Sequence, residues 1–153
     1  RERLQVEPSI NPRIEILDED EALIVINKPA PLPTHPSGRF HRNTLEWILR
    51  KAYTPQKPRP AHRLDANTTG VIVFTRTASI ARLVQPQFEK GEVQKVYLAR
   101  VIGHPPTDTF SCDSSIGAAG GRSGARMIAH ESGQPSLTNF QVLERFKDDT
   151  SLL

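Results

Sequence analysis

Sulfur is scarce in this sequence, and its scarcity excludes several kinds of protein. Cys112 is the single cysteine among 153 residues, so the chain can build neither a disulfide framework nor a thiolate metal cluster. The five histidines are scattered and form no His-x-x-x-His pair, which argues against a metal site. We therefore expect no metal, and a lone cysteine is most simply explained by a reducing cytoplasm.

Long hydrophobic runs are also absent. No stretch approaches the roughly 20 apolar residues that are needed to cross a bilayer, and no signal peptide opens the chain. The first residue is Arg1 rather than methionine, which indicates an excerpt or a processed product. The 153 residues suit one domain, and 37% apolar with 24% charged residues are ordinary values for a soluble protein. We expect a monomer with no membrane partner.

Positive charge is concentrated in one segment, although the net charge of the chain is only +3. Residues 1–26 contain seven acidic and three basic residues, whereas residues 39–63 contain seven basic residues and one acid, Glu46. This basic segment, residues 39–63, suits a polyanionic substrate. A solvated charged surface is the competing interpretation, and on charge alone it is slightly favoured.

Thirteen prolines and many short apolar runs argue against a helix bundle. Apolar periodicity predicts strands at residues 13–17, 22–26, 71–75, 93–102, 107–112, 126–129 and 137–145. The predicted fold class is α+β, with a largely antiparallel mixed sheet flanked by short helices. Residues 1–12 lack periodicity and are expected to form an extended N-terminal arm, with one domain over residues 13–153.

Two short helices are predicted between the strands. The first covers residues 45–53 after a cap at Asn43 or Thr44. Its apolar face comprises Leu45, Ile48, Leu49 and Ala52. Trp47 lies outside that face and could stack on a base, although an isolated tryptophan on a short amphipathic helix more often joins the core. The second helix should end or kink at Pro86.

The most informative stretch is a polar loop that leads directly into an apolar strand. Residues 62–70 read HRLDANTTG, and the four apolar residues Val71 to Phe74 predict a buried strand. Asp65 and Arg63 are thus held on a loop anchored by a strand, an arrangement that often positions reactive groups. For an isolated Arg-Leu-Asp triplet, however, a turn capped by Asp65 or Thr68 with the arginine in solvent is the more frequent interpretation.

The loop resembles a signature of the RluA-type pseudouridine synthases, His-Arg-Leu-Asp followed by two variable residues, Thr, Ser or Thr, and Gly. Thr69 stands where Ser is the commoner family residue. Two further stretches resemble the family in the right order, NKPA at residues 27–30 and KVYLA at residues 95–99. Pro31 stands where the family usually has Gly, and residues 133–143 resemble a later family strand more weakly.

The resemblance implies that the chain isomerises uridine to pseudouridine in RNA. This reaction breaks the bond between N1 and C1′, rotates the base and joins C5 to C1′. It involves no redox change and no energy input, so no cofactor is expected. The resemblance gives Asp65 the role of nucleophile toward a flipped uridine. It gives Tyr97 the role of base, and in the predicted strand Lys95 and Tyr97 share one face.

The resemblance also implies contacts with RNA. Arg63 resembles the arginine that fills the space left by the flipped base. His62, Lys28 and Lys95 are expected contacts in the site. The remaining RNA is expected to follow a track of basic side chains, namely Arg39, Arg42, Arg50, Lys51 and Lys57. The expected substrate is structured ribosomal or transfer RNA.

The family carries a further motif near the end of its catalytic domain, an Arg-Thr-His-Gln-Ile-Arg-like segment whose arginine pairs with the catalytic carboxylate. This sequence contains no such segment. We therefore expect residues 13–153 to be a pseudouridine synthase catalytic domain that is incomplete at its C-terminus. Because the carboxylate would lack its positive partner, we expect weak or no activity from this piece alone.

Other interpretations fit parts of the sequence. A non-catalytic RNA-binding protein on the same scaffold would use the basic segment and would not depend on Asp65. A hydrolase using Asp65 and His62 would need an oxyanion site, for which the sequence offers no candidate. The glycine-rich residues 117–124 lack the Lys-Ser/Thr ending of a phosphate-binding loop and predict a hairpin loop instead.

Overall fold

The computed structural model describes residues 6–119 and 126–153. The chain divides into two compact units, Arg1–Gln94 and Lys95–Leu153. Every strand pairing among the described residues is antiparallel, and no parallel pair occurs among them. The predicted combination of a largely antiparallel sheet with short helices is thus present, and both helices belong to the first unit.

The first unit contains one four-stranded sheet in the order β1-β2-β4-β3 and two helices. Its elements in chain order are β1 (Glu15–Glu19), β2 (Leu23–Lys28), α1 (Leu45–Ala52), β3 (Arg59–Pro60), β4 (Gly70–Thr75) and α2 (Ala78–Glu89). Its core consists of Ile24, Ile26, Leu32, Leu45, Leu49, Leu64, Ile72 and Phe74. The two central strands therefore meet α1 and the loops around residues 32 and 64 in one cluster.

The predicted hairpin at the start of the sheet is confirmed, with each strand about two residues further along the chain than expected. The carboxylate of Asp20 closes its turn by accepting hydrogen bonds from the N–H groups of Ala22 and Leu23, both at 2.7 Å. These bonds hold the pKa of Asp20 below its ordinary value, and the bond from the N–H of Leu23 contributes most. The side chain thus stabilises the turn that sets the register of β1 on β2.

β4 is central in the sheet, but it is buried on one face only. Ile72 and Phe74 are completely buried, whereas Val71 is 56% exposed. The continuous apolar run predicted a buried strand, and the burial holds for one face of it. In an antiparallel sheet one face packs on the core and the other can meet solvent, so a run of apolar residues does not by itself prove double burial.

α1 begins where the sequence predicted. The hydroxyl of Thr44 accepts a hydrogen bond from the N–H of Trp47 at 3.3 Å, which makes Thr44 rather than Asn43 the cap. The predicted apolar face packs on the core through Leu45 and Leu49. Trp47 was expected to join the core, and this expectation is wrong. Its ring lies at the surface and is 36% exposed.

α2 continues through Pro86, so the predicted end of the helix at this residue is wrong, and the alternative of a kink stays a prediction. Proline removes one N–H donor, and here the loss falls in the last turns of the helix. The carbonyl of Pro86 still accepts a hydrogen bond from the N–H of Lys90 at 2.9 Å, which closes the final turn. The helix therefore ends at Glu89, four residues later than the earliest end that proline would impose.

The second unit consists of short strands in three small sheets. Its elements in chain order are β5 (Arg100–Ile102), β6 (Thr109–Cys112), β7 (Ile116–Ala118), β8 (Met127–Ala129), β9 (Thr138–Gln141), β10 (Glu144–Phe146) and β11 (Thr150–Leu152). The sheets have the orders β10-β11-β5, β6-β9 and β7-β8. Of the glycine-rich stretch predicted as a hairpin loop, residues 117–118 lie in β7 and residues 120–125 lie outside the described residues.

Two long strands predicted in this unit are shorter in the structure. The strand expected over residues 93–102 is regular only in β5, because residues 95–98 have no ladder partner in the described part of the chain. The strand expected over residues 137–145 is split into β9 and β10 because the backbone changes partners. The N–H of Val142 bonds the carbonyl of Asp108, and the next N–H, of Leu143, bonds that of Leu152.

Candidate active site

The loop that precedes β4 is held by buried polar contacts on its core side. Leu64 is 7% exposed and belongs to the hydrophobic core. The hydroxyl of Thr34 donates to the carbonyl of Leu64 at 2.7 Å and accepts from the N–H of Leu64 at 3.2 Å. Thr34 is itself buried, so this pair of bonds fixes the backbone on the N-terminal side of Asp65 within the protein interior.

A second contact fixes the other side of Asp65. The carbonyl of Ala66 accepts a hydrogen bond from the N–H of Leu32 at 2.8 Å. The N–H of Thr68 then bonds the carbonyl of Asp65 at 3.1 Å and closes a turn over residues 65–68. The residue at position 65 thus lies between two anchored neighbours.

His62 attaches the beginning of the loop to α2 and β4. Its ring stacks on Phe88 with a centroid distance of 4.4 Å and an angle of 15° between the planes. Its Nε2 accepts a hydrogen bond from the N–H of Val73 at 3.3 Å, so the ring proton of the neutral form lies on Nδ1. The structure gives His62 a role in positioning the loop, and its predicted contact with RNA stays a prediction.

The side chains of Asp65 and Arg63 point away from this anchored interior. Both residues are exposed. Among the described residues the carboxylate of Asp65 forms no hydrogen bond and no ion pair, and the turn at this loop uses its backbone carbonyl instead. The alternative in which this side chain caps a turn therefore finds no support in the geometry, because the carboxylate remains available for another partner.

Lys28 brings a positive charge beneath the same loop. It is completely buried, and its ammonium donates to the carbonyls of Leu32 at 2.7 Å, Pro29 at 3.1 Å and Ala66 at 3.4 Å. Burial lowers the pKa of Lys28, and the negative charge of Asp65 opposes that change. Each of the three ammonium protons has a carbonyl partner, so the charge is held in place beside the exposed carboxylate.

Gly70 connects the loop to β4 in a conformation that favours glycine. Its φ is +119°, a region that residues with a side chain rarely adopt. In the ladder it lies opposite Lys28, the last residue of β2. The glycine of the sequence motif therefore lets the chain turn from the loop into the strand directly beside the buried ammonium.

Comparison with known proteins identifies the family. A family profile described as RNA pseudouridylate synthase matches residues 22–153. The chain belongs to the RNA pseudouridylate synthase family. It is 35% identical over 130 residues to human pseudouridylate synthase RPUSD2, and the aligned region covers 85% of this chain and 24% of that protein. It is 33% identical over 146 residues to the dual-specificity RNA pseudouridine synthase RluA of Escherichia coli K12, covering 94% of this chain and 65% of RluA.

Two solved structures of family members share the fold. Human RNA pseudouridylate synthase domain containing 4 has a TM-score of 0.69 at 29% identity, over 90% of this chain and 56% of that one. Human RNA pseudouridylate synthase domain containing 1 has a TM-score of 0.73 at 25% identity, over 96% of this chain and 60% of that one. The chain thus spans less than two thirds of each relative's length. The predicted family and fold class are confirmed.

The remaining predicted site residues lie in three other places. Tyr97 and Lys95 belong to the second unit and are exposed, Tyr97 by 56% of its surface. Arg39 and Arg42 precede α1 and are exposed. The other predicted RNA contacts, which follow on α1 and the connector after it, are Arg50, Lys51 and Lys57. The catalytic and RNA-binding roles of all these residues stay predictions.

The N-terminal arm is attached to the basic segment by a contact that periodicity did not reveal. The carboxylate of Glu7 accepts hydrogen bonds from the N–H groups of Asn43 at 2.8 Å and of Arg42 and His41 at 2.9 Å. These bonds, that of Asn43 first, lower the pKa of Glu7 from 4.5 to about 2. The arm was expected to be extended, and it is also anchored.

Residues 6–119 and 126–153 contain no helix of the length and apolarity that a bilayer crossing requires. In the same residues, no three histidine, cysteine, aspartate or glutamate side chains come together as a set of metal ligands.

Proposed function

We propose that the chain forms part of an RNA pseudouridine synthase and converts uridine in RNA to pseudouridine with Asp65 as nucleophile. The observation that carries this proposal is the geometry of one loop. Its backbone is fixed by Thr34, Leu32 and His62, while the Asp65 carboxylate itself is exposed and unpaired among the described residues. A reactive group held firmly by its backbone but free at its side chain is preorganised for attack.

The chemistry that this carboxylate supplies can be written in balanced steps. Asp65 attacks C1′ of the ribose, the bond between N1 and C1′ breaks, and the electron pair leaves with the uracil. The base rotates until C5 faces C1′, and formation of the C5–C1′ bond releases the carboxylate. A base then removes the proton from C5, and N1 gains a proton. Attack at C6 of the base is the other possible first step, and it requires the same carboxylate.

Lys28 supports these steps by its charge. The negative charge of Asp65 opposes the lowering of the Lys28 pKa, so the buried ammonium and the carboxylate interact electrostatically. The same ammonium holds the carbonyls of Leu32 and Ala66. We propose Lys28 as a positioning residue, acting through Asp65 rather than through contact with RNA.

Three exposed side chains are proposed to act on the substrate. Tyr97 accepts the C5 proton, and its place in the KVYLA stretch supports that role. Arg63 follows His62 directly on the anchored loop, and its planar guanidinium suits stacking where the flipped base has left. Lys95 contacts the RNA backbone near the target.

The kind of RNA and the setting are proposed more broadly. We propose a structured ribosomal or transfer RNA as substrate, and a monomer in the cytoplasm as the acting species. The support for the cytoplasm is the single cysteine, Cys112, which is a free thiol. Size-exclusion chromatography with light scattering, and mapping of pseudouridine across total RNA with and without the gene, test these assignments.

The test of the function uses the chain joined to the rest of its protein, and RNA whose uridine carries tritium at C5. Joining C5 to C1′ releases this tritium to water, so release measures isomerisation. Asp65→Asn keeps the shape of the side chain and is expected to lower release by at least about 1000-fold. Asp18→Asn, at an exposed position on β1, is the matched control and is expected to leave release unchanged. Equal release from both variants would overturn the proposal.

RNA binding by the same variants separates the enzyme from a non-catalytic binder. The Asp65→Asn variant should bind RNA as tightly as the unchanged chain, because the substitution removes no positive charge. A protein that binds RNA but releases no tritium in either form would be a binder on this scaffold.

A further inference from the structure

The first unit carries a surface cleft in addition to the loop around Asp65. The cleft has a volume of about 660 Å³, which is within the range of small-molecule sites. It lies between α1 and the connector that leads to β3. Its lining includes four cationic residues, Arg50, Lys51, Lys57 and Arg59, and no acidic residue among those described. No residue of the loop at 62–69 lines it, so it is a separate surface.

The helix presents two different faces to its surroundings. Leu45 and Leu49 point into the core. Trp47, Arg50, Lys51 and Thr54 follow a spacing of three and four residues and therefore share another face, the one that lines the cleft. The apolar face fixes the helix to the sheet, and as a consequence the second face is presented as a rigid surface.

Trp47 gives this surface an exposed planar ring. It is 36% exposed and lies outside the core cluster, although tryptophan is usually well buried. The ammonium of Lys51 lies 5.6 Å from the centroid of its ring. An aromatic ring beside cations is the combination by which proteins bind single-stranded nucleic acid, since the base stacks on the ring and the phosphate meets the cations.

Interactions within the helix explain only part of this arrangement. Lys51 with Trp47, and Arg50 with Glu46 at 2.6 Å, are pairs four residues apart that stabilise an exposed helix slightly. Lys57 comes from outside the helix and lines the same cleft. The next residue, Pro58, is completely buried and fixes the connector. The cleft thus receives a further cation from outside the helix, and no interaction within the helix accounts for it.

Acidic residues limit the site on one side. Gln56 lines the cleft and also a neighbouring recess that contains Glu19, Asp20 and Glu21. Glu19 is occupied by Arg76 at 2.9 Å, and the other two carboxylates repel a polyanion. A nucleic acid strand in the cleft is therefore expected to extend past Lys51 and Lys57, not past the recess.

We propose that this cleft binds one unstacked nucleotide of the RNA substrate, apart from the uridine that reacts, with its base on Trp47 and its phosphate between Lys51 and Lys57. This inference rests on the proposed function for the identity of the substrate as RNA. It divides the basic segment, because Arg39 and Arg42 lie before α1 and do not line the cleft. Binding here tethers the RNA and lowers KM without taking part in the chemical step.

The single tryptophan of the sequence makes the test direct, since all indole fluorescence of the chain comes from Trp47. We expect a short oligouridylate to quench this fluorescence. A ribose-phosphate oligomer of the same length without bases should bind more weakly and leave the fluorescence almost unchanged. Equal quenching by both oligomers, or quenching by neither, would overturn the proposal because stacking requires a base.

Substitutions provide a second test that does not depend on fluorescence. Trp47→Leu is expected to weaken binding of oligouridylate roughly 5- to 100-fold, with an unchanged far-ultraviolet circular dichroism spectrum. For the double variant Lys51→Gln, Lys57→Gln, we expect the slope of log K against the logarithm of the salt concentration to become shallower by about 1.4. Its matched control is Lys90→Gln, Lys147→Gln, at two exposed lysines outside the cleft. Equal effects of the two double variants would contradict the assignment.

The outcomes distinguish this inference from the proposed function. Asp65→Asn should keep the quenching while it abolishes tritium release. Tritium release without quenching would refute the cleft and leave the function intact. If the chain shows quenching, but no tritium is released even when the unchanged chain is joined to the rest of its protein, the function is refuted and the cleft remains an RNA site.

Discussion

The loop at residues 62–70 and the segment at residues 95–98 are both parts of motifs that resemble the same family, yet their structural environments differ. In the loop, Leu64 is 7% exposed and its backbone is bonded to a buried hydroxyl. In the segment, Leu98 is 72% exposed and Val96 is 83% exposed. The motif that carries the proposed nucleophile is thus fixed by its own unit, whereas the motif that carries the proposed base has no ladder partner within the described residues.

This difference indicates which of the two regions contributes to the free energy of unfolding. The loop takes part in the core of the first unit, and disturbing it costs folding free energy as well as activity. The exposed segment contributes little to the folding of its own unit, so its substitutions are expected to affect function alone.

The largest contrast is expected between two leucines. Leu64→Ala removes a side chain from the core and should lower the free energy of unfolding by about 2–5 kcal/mol. Leu98→Ala should change it by less than about 0.5 kcal/mol, because that side chain is exposed. Urea denaturation of both variants measures the difference. Equal losses would show that the segment is as firmly packed as the loop.

Thr34→Val tests the polar part of the anchor. Valine has nearly the shape of threonine but leaves the N–H and the carbonyl of Leu64 without their partner in a buried place. We expect a loss of about 1–3 kcal/mol in the free energy of unfolding and a fall in tritium release. The control is Thr109→Val, at an exposed strand position. A Thr34 variant as stable as this control would contradict the anchoring.

Lys28 should make the free energy of unfolding depend on pH in the alkaline range. Its pKa lies below the ordinary value of 10.5 in the folded chain, so the unfolded chain binds more protons just below pH 10.5. The contribution of this residue to stability therefore rises with pH through that window and levels off above it. Lys28→Met should abolish this part of the slope in urea denaturation between pH 8 and about 10.5. An identical slope in both proteins would show that the ammonium is not desolvated.

The smallest effect is expected at the N-terminal arm, and it falls in the acid range rather than the alkaline range. The pKa of Glu7 is lowered from 4.5 to about 2, so its contacts persist above pH 4.5 and are lost as the pH falls toward 2. The NMR amide shifts of His41, Arg42 and Asn43 should report this loss. Glu7→Gln should show the acid-state shifts already at neutral pH, whereas Glu21→Gln, at an exposed position, should not. Unchanged shifts in Glu7→Gln would refute the contact.

The sequence predicts the elements whose cause is local. The apolar runs at residues 22–26 and 71–75 become neighbouring strands, and the cap at Thr44 starts α1. The nine residues from His62 to Gly70 suffice to indicate the family, and the role that they suggest for Asp65 stays a prediction. Each of these features depends on residues close in the chain, so one stretch contains the necessary information.

The features that the sequence does not predict depend on distant contacts. The length of a strand depends on its partner, and the partner of residues 95–98 cannot be read from their own alternation. A lysine in a strand suggests an exposed charge, but Lys28 is buried by carbonyls from two separate loops. Trp47 faces solvent because the apolar stripe of α1 was already sufficient to hold the helix.

The most direct test of the central claim is the mass of the chain after reaction with RNA containing 5-fluorouridine. Fluorine at C5 leaves no proton for the final step, so a carboxylate that attacked C6 stays bonded to the base, whereas one that attacked C1′ is released when C5 joins C1′. We predict that any covalent adduct maps to the peptide containing Asp65 and disappears in Asp65→Asn. An adduct that persists in Asp65→Asn, or one that maps to another residue, would contradict the account.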